Sequence, residues 1–145
     1  MSPYRLILYH KHPSSGRTLF LRLGETVCQF AGLSAEARVV ESHIGGDQVK
    51  QELTGHLADW IAEAEQRLNL ESGSLTLDRE FDVAVEDADQ LLQIYLVRFT
   101  AIDPPLEQLA AQSGKFLALT DARRLPPPEL ELLRLAYTAI MDELA

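Results

Sequence analysis

The feature that most constrains the fold is a long segment, residues 47–70, whose apolar residues repeat with the period of an α-helix. These positions lie three or four residues apart and fall on one side of a helix: Val49, Leu53, Leu57, Trp60, Ile61, Ala64 and Leu68. Asp47 can accept a backbone N–H bond at the start, and the cluster Glu71-Ser72-Gly73-Ser74 ends the pattern. The segment is therefore predicted to be one amphipathic helix, with the centre of its apolar stripe (Leu57, Trp60, Ile61 and Ala64) buried.

Short runs of β-forming residues around this segment predict a sheet. The runs at 4–9 and 18–23 are separated by turn-forming residues 12–16, which predicts a hairpin. Further strands are predicted at 27–31, 38–41, 75–77, 81–85, 91–101 and 115–119, with an acidic hairpin tip at 86–89. A short helix is predicted at 106–111, and the prolines at 126–128 open a final amphipathic helix that reaches Leu144.

The organisation of the chain predicts an α+β fold. Strands and helices intermix along its 145 residues without an internal repeat or a long linker. We therefore expect a single domain spanning residues 1–145, built as a mixed β-sheet flanked by helices.

Composition narrows the function classes. A formal net charge of −9 opposes contact with a phosphate backbone, so no nucleic-acid partner is expected. No apolar run approaches the ~20 residues that span a bilayer, so no membrane partner is expected either. The single Cys28 cannot form an internal disulfide, which fits a reducing compartment and predicts a cytoplasmic protein.

The order of hairpin, Gly-Gly pair, long helix, long strand and final helix resembles the Nudix hydrolase family. The strongest local likeness begins at Phe116, in the pattern Phe-x-x-Leu-x-x-Ala that leads through 123–127 into the last helix. The signature of that family is Gly, five residues, Glu, seven residues, then Arg-Glu-apolar-x-Glu-Glu-x-Gly. Gly46 and Glu52 match its first half, and Glu63 matches the first Glu of its second half if two residues are inserted.

The second half of the signature is degenerate in this chain. Ala62 stands for the Arg, Gln66 and Arg67 stand for the paired Glu residues, and Asn69 stands for the Gly. In the family those carboxylates hold the divalent ions that neutralise pyrophosphate and activate water, and Mg²⁺ needs oxygen ligands. The resemblance therefore implies a Nudix-like fold, with a weakened Mg²⁺ site and little hydrolase activity.

The polar side of the long helix carries the candidate catalytic and metal-binding residues. At 100° per residue, five side chains fall in one stripe: Glu52, His56, Asp59, Glu63 and Gln66. Glu52, Asp59 and Glu63 are candidate Mg²⁺ ligands, and Glu52 and Glu63 are the candidate catalytic residues, with Glu63 as the base that polarises water. The alternative is that the stripe is the ordinary solvent-facing side of an amphipathic helix.

Two pairs of residues are candidate ligand-binding groups. Gly45 and Gly46 precede the helix, where backbone N–H groups can receive a phosphate; the alternative is a plain turn. Arg123 and Arg124 can hold an anion, or can interact as cations with a helix end.

The histidines and the cysteine offer weaker candidates. His10 and His12 lie two residues apart on a predicted strand and point the same way, with His43 available as a third zinc ligand. Cys28 can be a nucleophile, but its apolar neighbours favour a buried and inert thiol.

Two functions from different classes follow from the sequence. The first is a non-catalytic Nudix-like domain that binds a nucleotide-like small molecule or a protein partner, with a homodimer left open. The second is a divergent Mg²⁺-dependent hydrolase of a nucleoside diphosphate derivative. A compensating carboxylate cluster would favour the hydrolase, and its candidate members are Glu80, Asp82, Glu86, Asp87 and Asp89.

Overall fold

The structure is a computed structural model that describes residues 4–41, 46–79 and 83–142. Within these residues the strands are β1 (Tyr4–Lys11), β2 (Thr18–Leu23), β3 (Arg38–Glu41), β4 (Leu75–Arg79), β5 (Val83–Asp87), β6 (Gln90–Phe99) and β7 (Gly114–Leu117). The α-helices are α1 (Gly46–Arg67), α2 (Leu106–Ala110) and α3 (Pro127–Asp142). A 3₁₀ turn, Leu119–Asp121, lies between β7 and α3.

All seven described strands form one mixed sheet. Six of them follow the order β3-β5-β6-β1-β2-β7, and the seventh, β4, lies off this path. The central pair, β1 and β6, is parallel, with Leu6 opposite Tyr95 and Leu8 opposite Val97. The other pairs are antiparallel, and β4 joins the sheet beside the second half of β6. The predicted mixed sheet is thus confirmed, as is the predicted hairpin of β1 and β2.

Each face of the sheet has its own hydrophobic core, because side chains alternate along a strand. Ile7 and Tyr9 of β1 pack on the face covered by α3. Leu6 and Leu8 pack on the opposite face, which α1 and α2 cover. The domain therefore has helices on both sides of one sheet.

The predicted long helix is confirmed, with a C-terminus earlier than expected. The helix ends at Arg67 because Asn69 adopts the left-handed conformation, with φ 59°. The N–H groups of Leu70 and Asn69 then donate to the carbonyls of Glu65 and Gln66, which is a Schellman motif. Within its stripe Leu57 and Ala64 are buried, whereas Trp60 and Ile61 are half-buried.

The predicted strand at 27–31 is wrong. Its main chain makes one isolated bridge, between Gln29 and Leu6, and no longer ladder among the described residues. The N–H of Val27 instead donates to the Glu129 carboxylate, and the N–H of Cys28 donates to the Thr26 hydroxyl. Side-chain acceptors therefore replace the strand partners that the apolar sequence suggested.

The acidic hairpin tip at 86–89 is confirmed. Ala88 and Asp89 connect β5 to β6 with φ angles of 51° and 64°. Two consecutive positive φ angles suit the tight turn that joins twisted antiparallel strands. The predicted end of the last helix at Leu144 lies outside the described residues.

Candidate ligand-binding site

A cavity of about 240 Å³ lies between α1 and the first residues of β1. It is called the α1 pocket here, and its lining residues are Tyr4, Arg5, Gln29, Phe30, Ala31, Trp60, Glu63 and Arg67. The helix contributes Trp60, Glu63 and Arg67, which are three and four positions apart and so share one side of the helix. The segment around Gln29 reaches the cavity because its main chain bonds to Leu6, with N···O distances of 3.0 and 2.8 Å.

One wall of the α1 pocket is aromatic. The rings of Tyr4 and Trp60 stack with centroids 3.8 Å apart and planes inclined by 14°. Behind them, Tyr95 packs against Trp60 with centroids 6.2 Å apart, and His56 lies 6.1 Å from the same ring. These contacts hold a flat apolar surface in place at the edge of the cavity.

Among the described residues, the charged groups that line the pocket are two guanidinium groups and one carboxylate. The Arg67 guanidinium lies over the Phe30 ring, 4.0 Å from its centroid. Arg5 is buried, and its Nε and Nη1 donate to the carbonyls of Ala31 and Tyr4 at 2.6 and 2.8 Å. Glu63 supplies the carboxylate, so the lining carries more positive than negative charge.

The electrostatics of Tyr4 reflect these neighbours. Burial raises the pKa of its phenol, the Glu63 charge raises the pKa further, and Arg67 and Arg5 oppose both effects. Since the phenol ordinarily titrates near pH 10 and its pKa is raised, Tyr4 is a neutral hydroxyl at physiological pH. It can therefore donate a hydrogen bond within the pocket.

The structure places only some of the predicted site residues at this pocket. Glu63 lines it, whereas Asp59 is exposed and does not. The side chain of Glu52 and the surroundings of Gly46 at the first position of α1 lie outside the described part of the molecule, as does Gly45 altogether. Arg123 and Arg124 are exposed between the 3₁₀ turn and α3, away from the α1 pocket.

The residues of the helix do not fit the magnesium site that the resemblance implies. An exposed amide, Gln66, and a cation, Arg67, stand where that site requires carboxylate oxygens. Among the side chains that the structure describes, no group of three or more His, Cys, Asp or Glu residues converges on one point.

The later acidic residues have partners of their own. The Glu86 carboxylate pairs with Arg38 at 3.2 Å, and both side chains are largely exposed. Asp87 accepts bonds from the hydroxyl and the N–H of Ser34, at 2.5 and 3.0 Å, which lowers its pKa. Glu80 and Asp82 lie outside the described residues.

His10 and His12 do face the same side, with ring centroids 6.4 Å apart. Together with Asp103 they line a second cavity, of about 450 Å³, at the end of β1. However, Nε2 of His10 bonds to the carbonyl of Ala101 at 2.9 Å, which occupies one possible metal-binding nitrogen. His12 lies 3.6 Å from the Asp103 carboxylate, and His43 lies outside the described residues.

Cys28 is fully buried, as predicted for an inert thiol. Burial raises the pKa of the thiol well above its ordinary value, and the Glu129 charge adds to that effect. The reactive thiolate is therefore scarce at neutral pH.

The sequence did not identify the pocket residues that come from outside α1, which are Tyr4, Arg5, Gln29, Phe30 and Ala31. A Tyr-Arg pair at a strand start and a Gln-Phe-Ala segment carry no signal of binding. It also missed two buried carboxylates. Glu65 accepts bonds from the N–H groups of Gly73 and Leu75 at 2.8 and 3.1 Å, and Glu129 binds the 26–33 segment.

No protein-family model matches the chain, and no curated protein matches it at a significant level. No helix in the described part of the chain is both long and apolar enough to cross a membrane.

Proposed function

We propose that this chain is a non-catalytic, Nudix-like domain that binds a small nucleotide-like ligand in the α1 pocket. The observation that carries the proposal is the stacked pair of Tyr4 and Trp60 beside the Arg67 guanidinium. This places a flat aromatic surface and a cation in one cavity. A nucleotide presents the complementary groups, a planar base and an anionic phosphate.

Base stacking and guanidinium–phosphate hydrogen bonds are strong enough to bind a nucleotide in this pocket. Stacking of a base on an aromatic side chain contributes roughly 1–3 kcal/mol. A guanidinium can form two parallel hydrogen bonds with a phosphate, and these are about twice as strong as neutral ones. The cavity, at about 240 Å³, is smaller than the roughly 300–1,000 Å³ of sites that enclose a whole drug-sized ligand. We therefore expect the pocket to enclose one end of the ligand and leave the other in solvent.

Binding can be tested with the four nucleoside diphosphates ADP, GDP, CDP and UDP. A ligand at about 100 times its Kd stabilises the folded state by about 2.7 kcal/mol, which raises the Tm by about 5–10 °C. Trp60→Leu keeps an apolar side chain but removes the stacking ring, so it should weaken binding about tenfold or more. Arg134→Gln is the matched control, because Arg134 is exposed on α3, on the opposite face of the sheet.

Two results would contradict the proposal. One is the absence of any Tm shift or calorimetric signal with all four nucleotides at millimolar concentration. The other is equal weakening by Trp60→Leu and Arg134→Gln. If Trp60→Leu fails to fold by circular dichroism, Tyr4→Leu tests the other ring of the same stack.

The second candidate function is a divergent Mg²⁺-dependent hydrolase of a nucleoside diphosphate derivative. It is favoured by Glu63, the one candidate catalytic side chain that lines the pocket among those described. Release of nucleoside monophosphate or phosphate in the presence of Mg²⁺, abolished by Glu63→Gln, would establish this function in place of binding alone. We expect no such release, because Gln66 and Arg67 replace the paired carboxylates. A protein partner and a homodimer stay predictions from the sequence.

A further inference from the structure

We infer that Arg67 supplies, within the α1 pocket, the positive charge that a bound divalent cation would otherwise supply, so that the pocket recognises the metal-free anion. The ligand class is a nucleoside phosphate not chelated by Mg²⁺. This inference rests on the proposed function, because it concerns the same pocket and the same ligand.

The first support is the position of Arg67 on the helix. It lies four residues after Glu63 and seven after Trp60, so all three project toward the same cavity. The cation is therefore beside both the aromatic wall and Glu63, the one carboxylate that lines the pocket among the side chains described.

The second support is the way in which the guanidinium is held. Its Cζ lies over the Phe30 ring, 4.0 Å from the ring centroid. A contact with the π face of a ring leaves guanidinium N–H groups available, and these are the groups that bind phosphate oxygens. The ring contact also restricts the side chain, so less conformational entropy is lost when an anion binds.

The third support is that Arg67 forms no salt bridge among the described residues. Its side chain is exposed, and its guanidinium contacts the Phe30 ring and acts on the nearby Tyr4 phenol. Glu63 lines the same pocket but does not pair with Arg67, whereas the Arg38 guanidinium pairs with the Glu86 carboxylate at 3.2 Å. A guanidinium without a salt-bridge partner, at the edge of an aromatic cavity, is suited to an anionic ligand.

The same charges disfavour a metal ion. A divalent cation at the pocket would be repelled by Arg67 and Arg5, while Glu63 would supply the one carboxylate found in the described part of the lining. Mg²⁺ bound to a diphosphate also neutralises the oxygens that Arg67 would contact. Mg²⁺ is therefore expected to weaken binding by competing with Arg67 for the same oxygens.

A structural role for Arg67 predicts a different outcome. As a cation in the last turn of α1, it can stabilise the helix without touching any ligand. Substitution would then change the Tm and leave the Kd unchanged. Ligand affinity and its dependence on Mg²⁺ therefore separate the two roles.

The test is isothermal titration of the full chain with ADP, GDP, CDP and UDP, in EDTA and again in excess MgCl₂. We expect binding to be tighter in EDTA than in MgCl₂, and equal affinity under the two conditions would contradict the inference. Arg67→Gln should weaken binding in EDTA roughly 10–100-fold, since it removes charge-assisted hydrogen bonds. Arg67→Lys should recover part of the loss, and Arg134→Gln should have no effect.

Glu63→Gln gives a result of opposite sign for the two mechanisms. If Arg67 provides the charge, removing the nearby carboxylate removes a repulsion and tightens binding of the anion. If a metal ion provides the charge, Glu63→Gln removes a ligand and weakens binding. Circular dichroism of each variant ensures that changes in affinity are measured on folded protein.

The outcomes distinguish this inference from the proposed function. Binding that requires MgCl₂ and is lost in Glu63→Gln would overturn the inference and leave nucleotide binding in place. Binding in EDTA that is unchanged by Arg67→Gln would also overturn the inference alone. Absence of binding under both conditions would overturn the proposed function, and this inference with it.

Discussion

Glu129 is expected to be a main stabilising contact between α3 and the 26–33 segment. The side chain is 1% exposed, and it lies in the first turn of α3, where a negative charge is favoured by the helix dipole. Its Oε1 accepts a bond from the N–H of Val27 at 2.8 Å and another from the hydroxyl of Thr26 at 2.9 Å. Substitution by Ala removes these two short bonds and a longer one of 3.5 Å from the N–H of Leu33, and it leaves the buried N–H of Val27 without an acceptor.

The magnitude of the destabilisation follows from the two short bonds. A buried donor left without its partner costs about 1–3 kcal/mol, and hydrogen bonds to charged groups contribute about 1.5–3 kcal/mol each. Because the half-buried Thr26 hydroxyl can bond to water instead, we expect Glu129→Ala to lower the free energy of unfolding by about 3 kcal/mol. For a domain of this size that corresponds to a Tm decrease of about 10 °C.

Urea unfolding followed by circular dichroism measures this change, with the Tm as a second readout. Glu131→Ala is the matched control, because Glu131 is an exposed residue of the same helix and should change stability by less than about 0.5 kcal/mol. Glu129→Gln keeps one acceptor oxygen, so its free energy of unfolding should lie between those of Glu129→Ala and Glu131→Ala. A loss below about 1 kcal/mol in Glu129→Ala would refute the reasoning, since burying the carboxylate would then cost as much as its bonds contribute.

Three further changes have expected outcomes. Gly114→Ala should destabilise the domain by about 1–3 kcal/mol in the same urea assay, because a Cβ there would lie 2.8 Å from the carbonyl oxygen of Leu109; wild-type stability would contradict this packing. Cys28 should not react with a thiol reagent in the native protein at pH 7, because burial raises its pKa, and it should react fully in denaturant; rapid native labelling would show that the site opens. Asp87→Asn should reduce stability slightly at pH 7, because the folded-state pKa of Asp87 is lowered by its bonds to Ser34. The stabilisation by the Asp87 carboxylate is present above the unfolded pKa of about 4 and is lost as the pH falls through the folded pKa. The free energies of unfolding of the wild type and Asp87→Asn should therefore converge in acid. A difference that persists in acid would contradict this assignment.

Much of the secondary structure could be predicted because the spacing of apolar residues along the sequence indicates the type of element and its buried side. The helical spacing from Leu57 to Leu68 predicted α1, and the run of β-forming residues at 4–9 predicted β1. The end of α1 was misplaced by three residues because Asn69, a residue that tolerates a left-handed conformation, stops the helix before the apolar pattern does. The prediction for 27–31 was wrong because its apolar residues resemble those of a strand. Its main chain bonds instead to the carboxylate of Glu129, the hydroxyl of Thr26 and the main chain of Leu6.

The candidate site was only partly predictable for the same reason. The sequence by itself determined that Trp60, Glu63 and Arg67 share one side of a helix, because a period of 3.6 residues requires it. Only the tertiary structure decided what that side faces. The parallel pairing of β1 with β6 and the bond between Gln29 and Leu6 bring Tyr4 and Phe30 to it, and such contacts depend on closing long loops rather than on local periodicity.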